Sequence, residues 1–141
     1  MSGVAQAAAD LFKMGRYDEA ADKYETIIQK YPESLYAWSN LGVVRFEQKN
    51  YDAAIKALQQ AVKLSPKDAF SWSNLGIVYD HLGRYDDAIN AQLAVVKLNP
   101  TDAASWDRLG RCYSEKGDKQ KAEEAFEKAN TLRRNSDSGT N

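Results

Sequence analysis

Prolines and tryptophans recur along this chain at one fixed interval. The prolines lie 34 residues apart, at Pro32, Pro66 and Pro100. The tryptophans keep the same spacing, at Trp38, Trp72 and Trp106. Leu-Gly pairs follow it as well, at Leu41-Gly42, Leu75-Gly76 and Leu109-Gly110. Self-similarity at a fixed period of this length is the sequence signature of a stacked-repeat architecture. The sequence therefore predicts an array of one structural unit.

Each period reads as two helices joined by a short turn. The second period predicts helices over residues 35–48 and 51–64, and the third predicts helices over 69–82 and 85–98. Residues whose short oxygen-bearing side chains can cap a helix N-terminus precede three of the first helices, at Ser34, Asp68 and Asp102. Each of them follows a proline by two residues, and proline cannot continue the preceding helix. The expected starts and ends of the helices therefore agree with the 34-residue period.

The first helix of a unit has two different faces. Because each residue advances about 100° around a helix, Trp38, Leu41 and Gly42 share one face, whereas Tyr36 and Asn40 lie nearly opposite. We expect the tryptophan face to pack against neighbouring helices, with the glycine permitting a close approach. Loss of one buried indole ring is then expected to lower the free energy of unfolding by about 3–5 kcal/mol.

Composition argues against several classes of partner. No apolar run among the 141 residues approaches the length of about 20 residues that spans a membrane. The formal net charge of −1 gives no general attraction to phosphate backbones. We therefore expect neither a membrane nor a nucleic-acid partner. The single cysteine, Cys112, cannot form an internal disulfide, which favours a reducing compartment. With no recognisable targeting signal, we expect a cytoplasmic location.

The order of residues within each period resembles the tetratricopeptide repeat (TPR) family: Trp, Leu-Gly, an aromatic residue, Ala, a second aromatic or apolar residue, Ala and Pro. The resemblance covers residues 1–134 in four units, 1–34, 35–68, 69–102 and 103–134. It implies an all-α fold, a right-handed αα-superhelix (TPR solenoid) of antiparallel helix pairs in a single domain. Arg45 and Gln92 depart from the pattern and are expected to perturb the packing locally. The polar residues 135–141 are expected to form a disordered tail.

The resemblance also implies that the first helices line a concave groove that holds a peptide or another protein. The residues expected to contact the partner are Tyr36, Asn40, Val43, Phe70, Asn74, Ile77, Arg108 and Arg111. Tyr36 and Phe70 either form an apolar patch with Val43 and Ile77 or partly cover the turns between units. Asn40 and Asn74 either bind the backbone of an extended ligand or hydrogen-bond across adjacent first helices.

Arg108 and Arg111 suggest an acidic guest, since guanidinium groups suit carboxylates. The alternative is that both are surface arginines paired with Asp107 or Glu115. Chaperone-binding TPR domains hold a terminal carboxylate with lysine, asparagine and arginine. Asn74 and Arg108 match that clamp, but the residues at the other three places are Ser39, Val43 and Ala104. Recognition of a chaperone tail is therefore not favoured.

The sequence offers little for catalysis. His81 and Cys112 are the only histidine and cysteine, and they lie on adjacent first helices, so a Cys-His pair is geometrically conceivable. However, Cys112 occupies a place usually filled by a small buried residue. One cysteine and one histidine do not complete a zinc site, and no glycine-rich phosphate loop is present. We therefore expect a protein that is not an enzyme, with no metal and no cofactor.

These expectations together describe a non-catalytic interaction scaffold or adaptor that binds an extended or helical segment of another protein. Two alternatives remain. The first is self-assembly into a homo-oligomer through the ends of the array, where Ala125, Phe126 and Leu132 have no further helix to cover them. The second is that the chain is the TPR part of a larger scaffold protein.

Overall fold

The computed structural model describes residues 3–138, and these form eight α-helices. In chain order they are α1 (Gly3–Lys13), α2 (Tyr17–Lys30), α3 (Leu35–Glu47), α4 (Tyr51–Leu64), α5 (Ala69–His81), α6 (Tyr85–Leu98), α7 (Ala103–Lys116) and α8 (Lys119–Ser138). Each 34-residue period thus contains two helices, and the helices of the second and third periods end within one residue of the predicted positions. The all-α fold class and the division into helix pairs are confirmed.

The chain divides into two compact units, unit 1 up to Val78 and unit 2 from Tyr79 onward. The boundary falls inside α5. In unit 1, α1 packs on α2, α2 on α3, and α3 on α4; in unit 2, α6 packs on α7 and α7 on α8. The prediction of a single domain over residues 1–134 stays a prediction.

The core of unit 1 is built largely from small residues. Its buried members are Ala8, Ala20, Ala21, Tyr24, Ala37, Leu41, Val44 and Ala57. Five of these eight are alanines, so the helices can approach closely without large side chains between them. Partly buried side chains, including Leu11, Phe12 and Trp38, close the edges of the cluster. The hydrophobic effect therefore acts through many small contacts, each contributing according to the apolar area that it buries.

A hydrogen bond between each tryptophan and the preceding proline explains why the two residues share a period. The indole N–H groups of Trp38, Trp72 and Trp106 each donate a hydrogen bond of 2.8 Å to the carbonyl oxygen of the proline six residues earlier. This bond ties the end of one helix pair to the first helix of the next. The three rings are half-buried rather than buried, so the expectation of full burial was wrong. The cost of losing one ring therefore belongs near the lower end of the expected range.

The helix N-termini follow the predicted pattern with one variation. Ser34 accepts a hydrogen bond from the backbone N–H of Ala37, at 3.2 Å. Asp68 caps α5 in the same way, since its carboxylate accepts from the backbone N–H of Ser71 at 3.2 Å. Asp102 makes no such bond to a backbone N–H and instead accepts from the hydroxyl of Ser105 at 2.6 Å.

A residue with positive φ lies in the turn between the two helices of every pair. Three of the four are glycines, Gly15, Gly83 and Gly117, and the fourth is Lys49, with φ 64°. Left-handed backbone costs a residue with a side chain roughly 1–2 kcal/mol relative to glycine. The turn between α3 and α4 therefore carries strain that the other three turns do not.

Helix α8 is longer than predicted. It continues to Ser138, so the prediction of disorder from residue 135 was wrong for residues 135–138, and residues 139–141 lie outside the described part of the chain. α2, α4 and α6 each end two residues before a proline. Arg134 occupies the place in the period that these prolines hold, and because arginine can continue a helix, α8 runs on through it.

The two departures from the repeat pattern are accommodated differently. Arg45 pairs with Glu25 of α2 and donates a hydrogen bond of 3.0 Å to Gln48. It therefore links two neighbouring helices where an aromatic ring was expected. Gln92 is buried in unit 2, yet α6 remains a regular helix through this position.

Candidate protein-binding surface

A pocket of about 180 Å³ opens in unit 1 among α3, α4 and α5. Its lining residues are Gly42, Val43, Phe46, Glu47, Leu58, Asn74, Ile77 and Val78. Three of the predicted contact residues, Val43, Asn74 and Ile77, are among them. We call this feature the α3–α5 pocket.

The walls of the α3–α5 pocket follow from local packing. Gly42 lets α4 approach so closely that a Cβ atom at this position would lie 2.8 Å from Cδ2 of Leu58 and closer still to its Cγ. Leu58 is thereby fully buried as the floor. Phe46 lies against Tyr51 of α4, with 5.6 Å between the ring centroids. These contacts hold the floor and one wall in place, so the pocket lies on a packed part of the fold.

The two aromatic residues of the predicted contact set have different environments. Tyr36 is 39% exposed and lies against the buried ring of Tyr24, with centroids 6.0 Å apart in an edge-on arrangement. Burial raises the pKa of Tyr24 above its usual value, and a hydrogen bond with Tyr36 adds to the effect. Phe70 is 51% exposed, and no aromatic ring of the described residues lies against it. Contact with Tyr24 therefore explains why the Tyr36 ring is partly covered. No such contact explains the place of the exposed Phe70 ring.

Asn40 and Asn74 repeat the same local bond. The side-chain amide of Asn40 donates to the carbonyl oxygen of Tyr36 at 2.8 Å, and that of Asn74 donates to the carbonyl oxygen of Phe70 at 3.0 Å. Both amides therefore bond within their own helix, and the alternative of a bond across first helices is not formed. Within residues 3–138 the amide oxygens accept no hydrogen bond, so each remains available as an acceptor.

Sequence reasoning left Phe46 and Glu47 out of the contact set, although both line the α3–α5 pocket. Glu47 is exposed. Among the described residues its carboxylate forms no ion pair or hydrogen bond. Its spacing of four residues after Val43 places both on one stripe of α3, and that signal was available in the sequence. The pocket therefore combines apolar walls with a negative charge at its edge.

Unit 2 presents a different set of charges on α7. Arg108 and Arg111 are exposed. Asp107, one of the two acidic partners expected for them, pairs with Arg133 of α8. The carboxyl of Glu115 has a raised pKa because of partial burial and the nearby carboxyl of Asp80, whereas Arg111 acts in the opposite direction. Arg111 therefore lies within an environment of mixed charge.

Cys112 is buried in unit 2. Burial raises the pKa of its thiol to about 11, and the carboxylates of Asp80 and Glu115 add to the effect. The thiol is therefore protonated at neutral pH, which does not suit a nucleophile. Within residues 3–138, no group of three or more metal-ligating side chains comes together, and no helix has the length and apolar composition of a membrane span.

The apolar ends of the array are largely covered. In α8, Ala125 is buried and Phe126 is half-buried. The ring of Phe126 lies so close to Gly110 of α7 that a Cβ atom added to Gly110 would be 2.8 Å from it. In α1, Ala5 and Ala8 are buried. The expectation that Ala125 and Phe126 form an exposed end was therefore wrong, because Ala125 is buried and Phe126 packs against Gly110 of α7. Leu132 is half-buried.

Comparisons with known proteins agree with this architecture. Among solved structures, a crystal structure of MamA is 26% identical over 96% of this chain and 79% of that chain, with a TM-score of 0.90. A second MamA crystal structure is 25% identical over 98% of this chain and 75% of that chain, with a TM-score of 0.91. MamA 41-end from Desulfovibrio magneticus RS-1 is 27% identical over 93% of this chain and 74% of that chain, with a TM-score of 0.85.

The comparison with curated proteins gave no match. Residues 4–138 match the family described as Cilia and flagella-associated protein 70 C-terminal domain, a family of TPR domains. The match spans almost all of the residues that the structure describes. Together with the eight paired helices and their 34-residue period, it shows that this chain belongs to that TPR family.

Proposed function

We propose that this chain is a non-catalytic scaffold or adaptor that binds a segment of another protein along the exposed face of its first helices. TPR folds generally serve protein–protein interaction. The observation that carries the proposal is the α3–α5 pocket, which has apolar walls. Phe70, one helical turn before the lining residue Asn74 on α5, adds an exposed aromatic ring. Exposed apolar surface on a packed scaffold is typical of a binding site.

The contact set of the proposal comprises Tyr36, Asn40, Val43, Phe70, Asn74 and Ile77 in unit 1, and Arg108 and Arg111 in unit 2. The amide oxygens of Asn40 and Asn74 accept hydrogen bonds from backbone N–H groups of the guest. Arg108 and Arg111 bind acidic groups of the guest. Self-assembly through the ends of the array is less well supported, because two of the three residues named for it are covered, Ala125 by burial and Phe126 by packing against Gly110.

The test uses peptides selected on the wild-type protein from a random peptide library displayed on phage. The double variant Asn74→Ala/Arg108→Ala is expected to weaken binding of the selected peptides at least about tenfold while leaving the melting temperature nearly unchanged, since hydrogen bonds to charged or polar groups contribute about 1–3 kcal/mol. Affinity is measured by fluorescence polarisation of labelled peptides.

A matched control removes an amide and a positive charge outside the proposed surface, on α6. Asn90→Ala/Lys97→Ala removes one amide and one positive charge from exposed positions of α6 and is expected to leave affinity unchanged. Equal affinity of wild type and the Asn74→Ala/Arg108→Ala variant for all selected peptides would refute the proposed surface.

A further inference from the structure

The α3–α5 pocket carries information about the chemistry of the guest, and an inference about that chemistry rests on the proposed function. Its floor and walls are apolar, formed by Leu58, Val43 and Ile77, and its edge carries Glu47. We infer that unit 1 recognises a peptide segment in which one aliphatic side chain of Leu or Ile size enters the pocket and a Lys or Arg within two residues pairs with Glu47.

The size of the pocket sets the first element of this motif. An engineered apolar cavity of about 150 Å³, lined by residues of the same kinds, accepts a benzene molecule. The α3–α5 pocket, at about 180 Å³, therefore holds one aliphatic side chain, whereas an indole ring, with nine ring atoms against six in benzene, exceeds it in proportion. Ile77 is 38% exposed, so a guest side chain that covers it removes apolar surface from water.

Charge complementarity sets the second element. Glu47 has no ion-pair partner in the described part of the chain, and the neighbouring Asn74 presents an amide oxygen that accepts no hydrogen bond there. Both groups at the edge of the pocket are therefore hydrogen-bond acceptors. A guest with donors, namely a backbone N–H for Asn74 and an ammonium or guanidinium group for Glu47, satisfies both. An acidic side chain at that position of the guest instead brings a like charge next to Glu47.

The experiment compares four labelled nonapeptides that differ only at two central positions. Their central pairs are Leu-Lys, Leu-Glu, Ala-Lys and Trp-Lys, and binding to the full chain is measured by fluorescence polarisation at low and high NaCl. Leu-Lys is expected to bind most tightly. Ala-Lys is expected to bind at least about tenfold more weakly, because the lost methylene groups no longer fill the pocket. Leu-Glu is expected to bind about two- to fivefold more weakly, in keeping with one solvent-exposed charge pair.

Variants of the protein separate the two elements. Glu47→Lys is expected to reverse the preference between Leu-Lys and Leu-Glu, and high salt is expected to remove that preference in the wild type. Ile77→Asp is expected to abolish the preference for Leu over Ala. Leu93→Asp is the matched control, since Leu93 of α6 is exposed to a similar extent, 40% against 38% for Ile77, and this variant should bind the peptides as the wild type does.

The outcomes distinguish this inference from the proposed function. If Glu47→Lys leaves the order of the four peptides unchanged, or if Trp-Lys binds as tightly as Leu-Lys, the inference is wrong. The proposed function survives that result when library-selected peptides still lose affinity for the Asn74→Ala/Arg108→Ala variant. If a preference follows the charge alone, with Ala-Lys equal to Leu-Lys, the pocket is not the site of recognition.

Discussion

The first helices of unit 1 and unit 2 share their packing residues but differ in the residues that they expose. Leu41-Gly42 of α3 and Leu109-Gly110 of α7 are buried at the same place in the period. On the exposed side, α3 and α5 present an apolar pocket with one carboxylate at its edge, whereas α7 presents Arg108 and Arg111 beside Glu115. The repeat therefore constrains the buried face and leaves the exposed face free to carry different chemistry.

Gly42 and Gly110 give the sharpest test of how alike the units are. A Cβ atom at Gly42 would lie 2.8 Å from Cδ2 of the fully buried Leu58, whereas one at Gly110 would lie 2.8 Å from the ring of the half-buried Phe126. Gly42→Ala is expected to lower the free energy of unfolding by about 2 kcal/mol, since overpacking costs more than the gain in helix propensity. Gly110→Ala is expected to cost less than about 1 kcal/mol, because the ring of Phe126 can move toward solvent.

Urea denaturation of both variants measures this difference. A double-mutant cycle of Gly42→Ala with Leu58→Ala provides the control, since it isolates the interaction between the two positions. Equal losses for Gly42→Ala and Gly110→Ala would show that burial of the facing side chain does not decide the cost.

The turns between paired helices provide a smaller contrast. Lys49 in unit 1 adopts φ 64°, and Gly83 in unit 2 adopts φ 73° at the equivalent place. Lys49→Gly is expected to raise the free energy of unfolding by about 1 kcal/mol, because relief of left-handed strain exceeds the entropy that glycine adds to the unfolded chain. Lys49→Ala retains the Cβ atom and is expected to give no such gain. Thermal unfolding of the two variants checks this, and an equal gain from alanine would point to the charge of Lys49 instead.

The burial of Cys112 makes both the reactivity of its thiol and the stability of unit 2 depend on pH. Its thiol pKa of about 11 exceeds the usual value, chiefly because of burial. The folded state therefore holds this proton more tightly than the unfolded chain, so the stabilisation is present below the unfolded pKa of about 8.5 and is lost as the pH rises through about 11. Alkylation by iodoacetamide is expected to be slow at pH 8 and to accelerate toward pH 11.

Arg111 favours the thiolate in this environment. Arg111→Ala is therefore expected to shift the alkylation profile to higher pH, whereas Arg108→Ala serves as the matched control. Alkylation at pH 8 at the rate of an unfolded cysteine would contradict the burial of Cys112.

The periodicity of the sequence predicted most of the fold because the signals that define it are local. Helix lengths, the caps at Ser34 and Asp68, and the glycines of the turns depend on residues only a few positions apart. The same reasoning failed at residues 135–138, where the polar composition suggested disorder but α8 continues past Arg134 without a proline to end it. Polarity alone therefore did not locate the end of the last helix.

The exposed face of the first helices was harder to interpret, as the contrast between Tyr36 and Phe70 illustrates. Both occupy the same place in the period, yet Tyr36 lies against Tyr24 and Phe70 has no such neighbour. The spacing of residues along α3 and α5 placed Val43, Glu47 and Ile77 on matching faces but did not reveal that Phe46 joins them around one pocket. Such contacts depend on the distance between two helices, which no local pattern encodes.

The period, the helix pairs and the buried face of each first helix could be read from the sequence, because all three follow from the 3.6-residue turn of the helix and from the chemistry of Pro, Gly and Trp. Tertiary structure decided the rest. It brought together side chains about one period apart in sequence at the α3–α5 pocket, joined Arg45 to Glu25, and buried Cys112 beside Asp80 and Glu115. These outcomes depend on how closely helices pack and on which side chains fill the space between them.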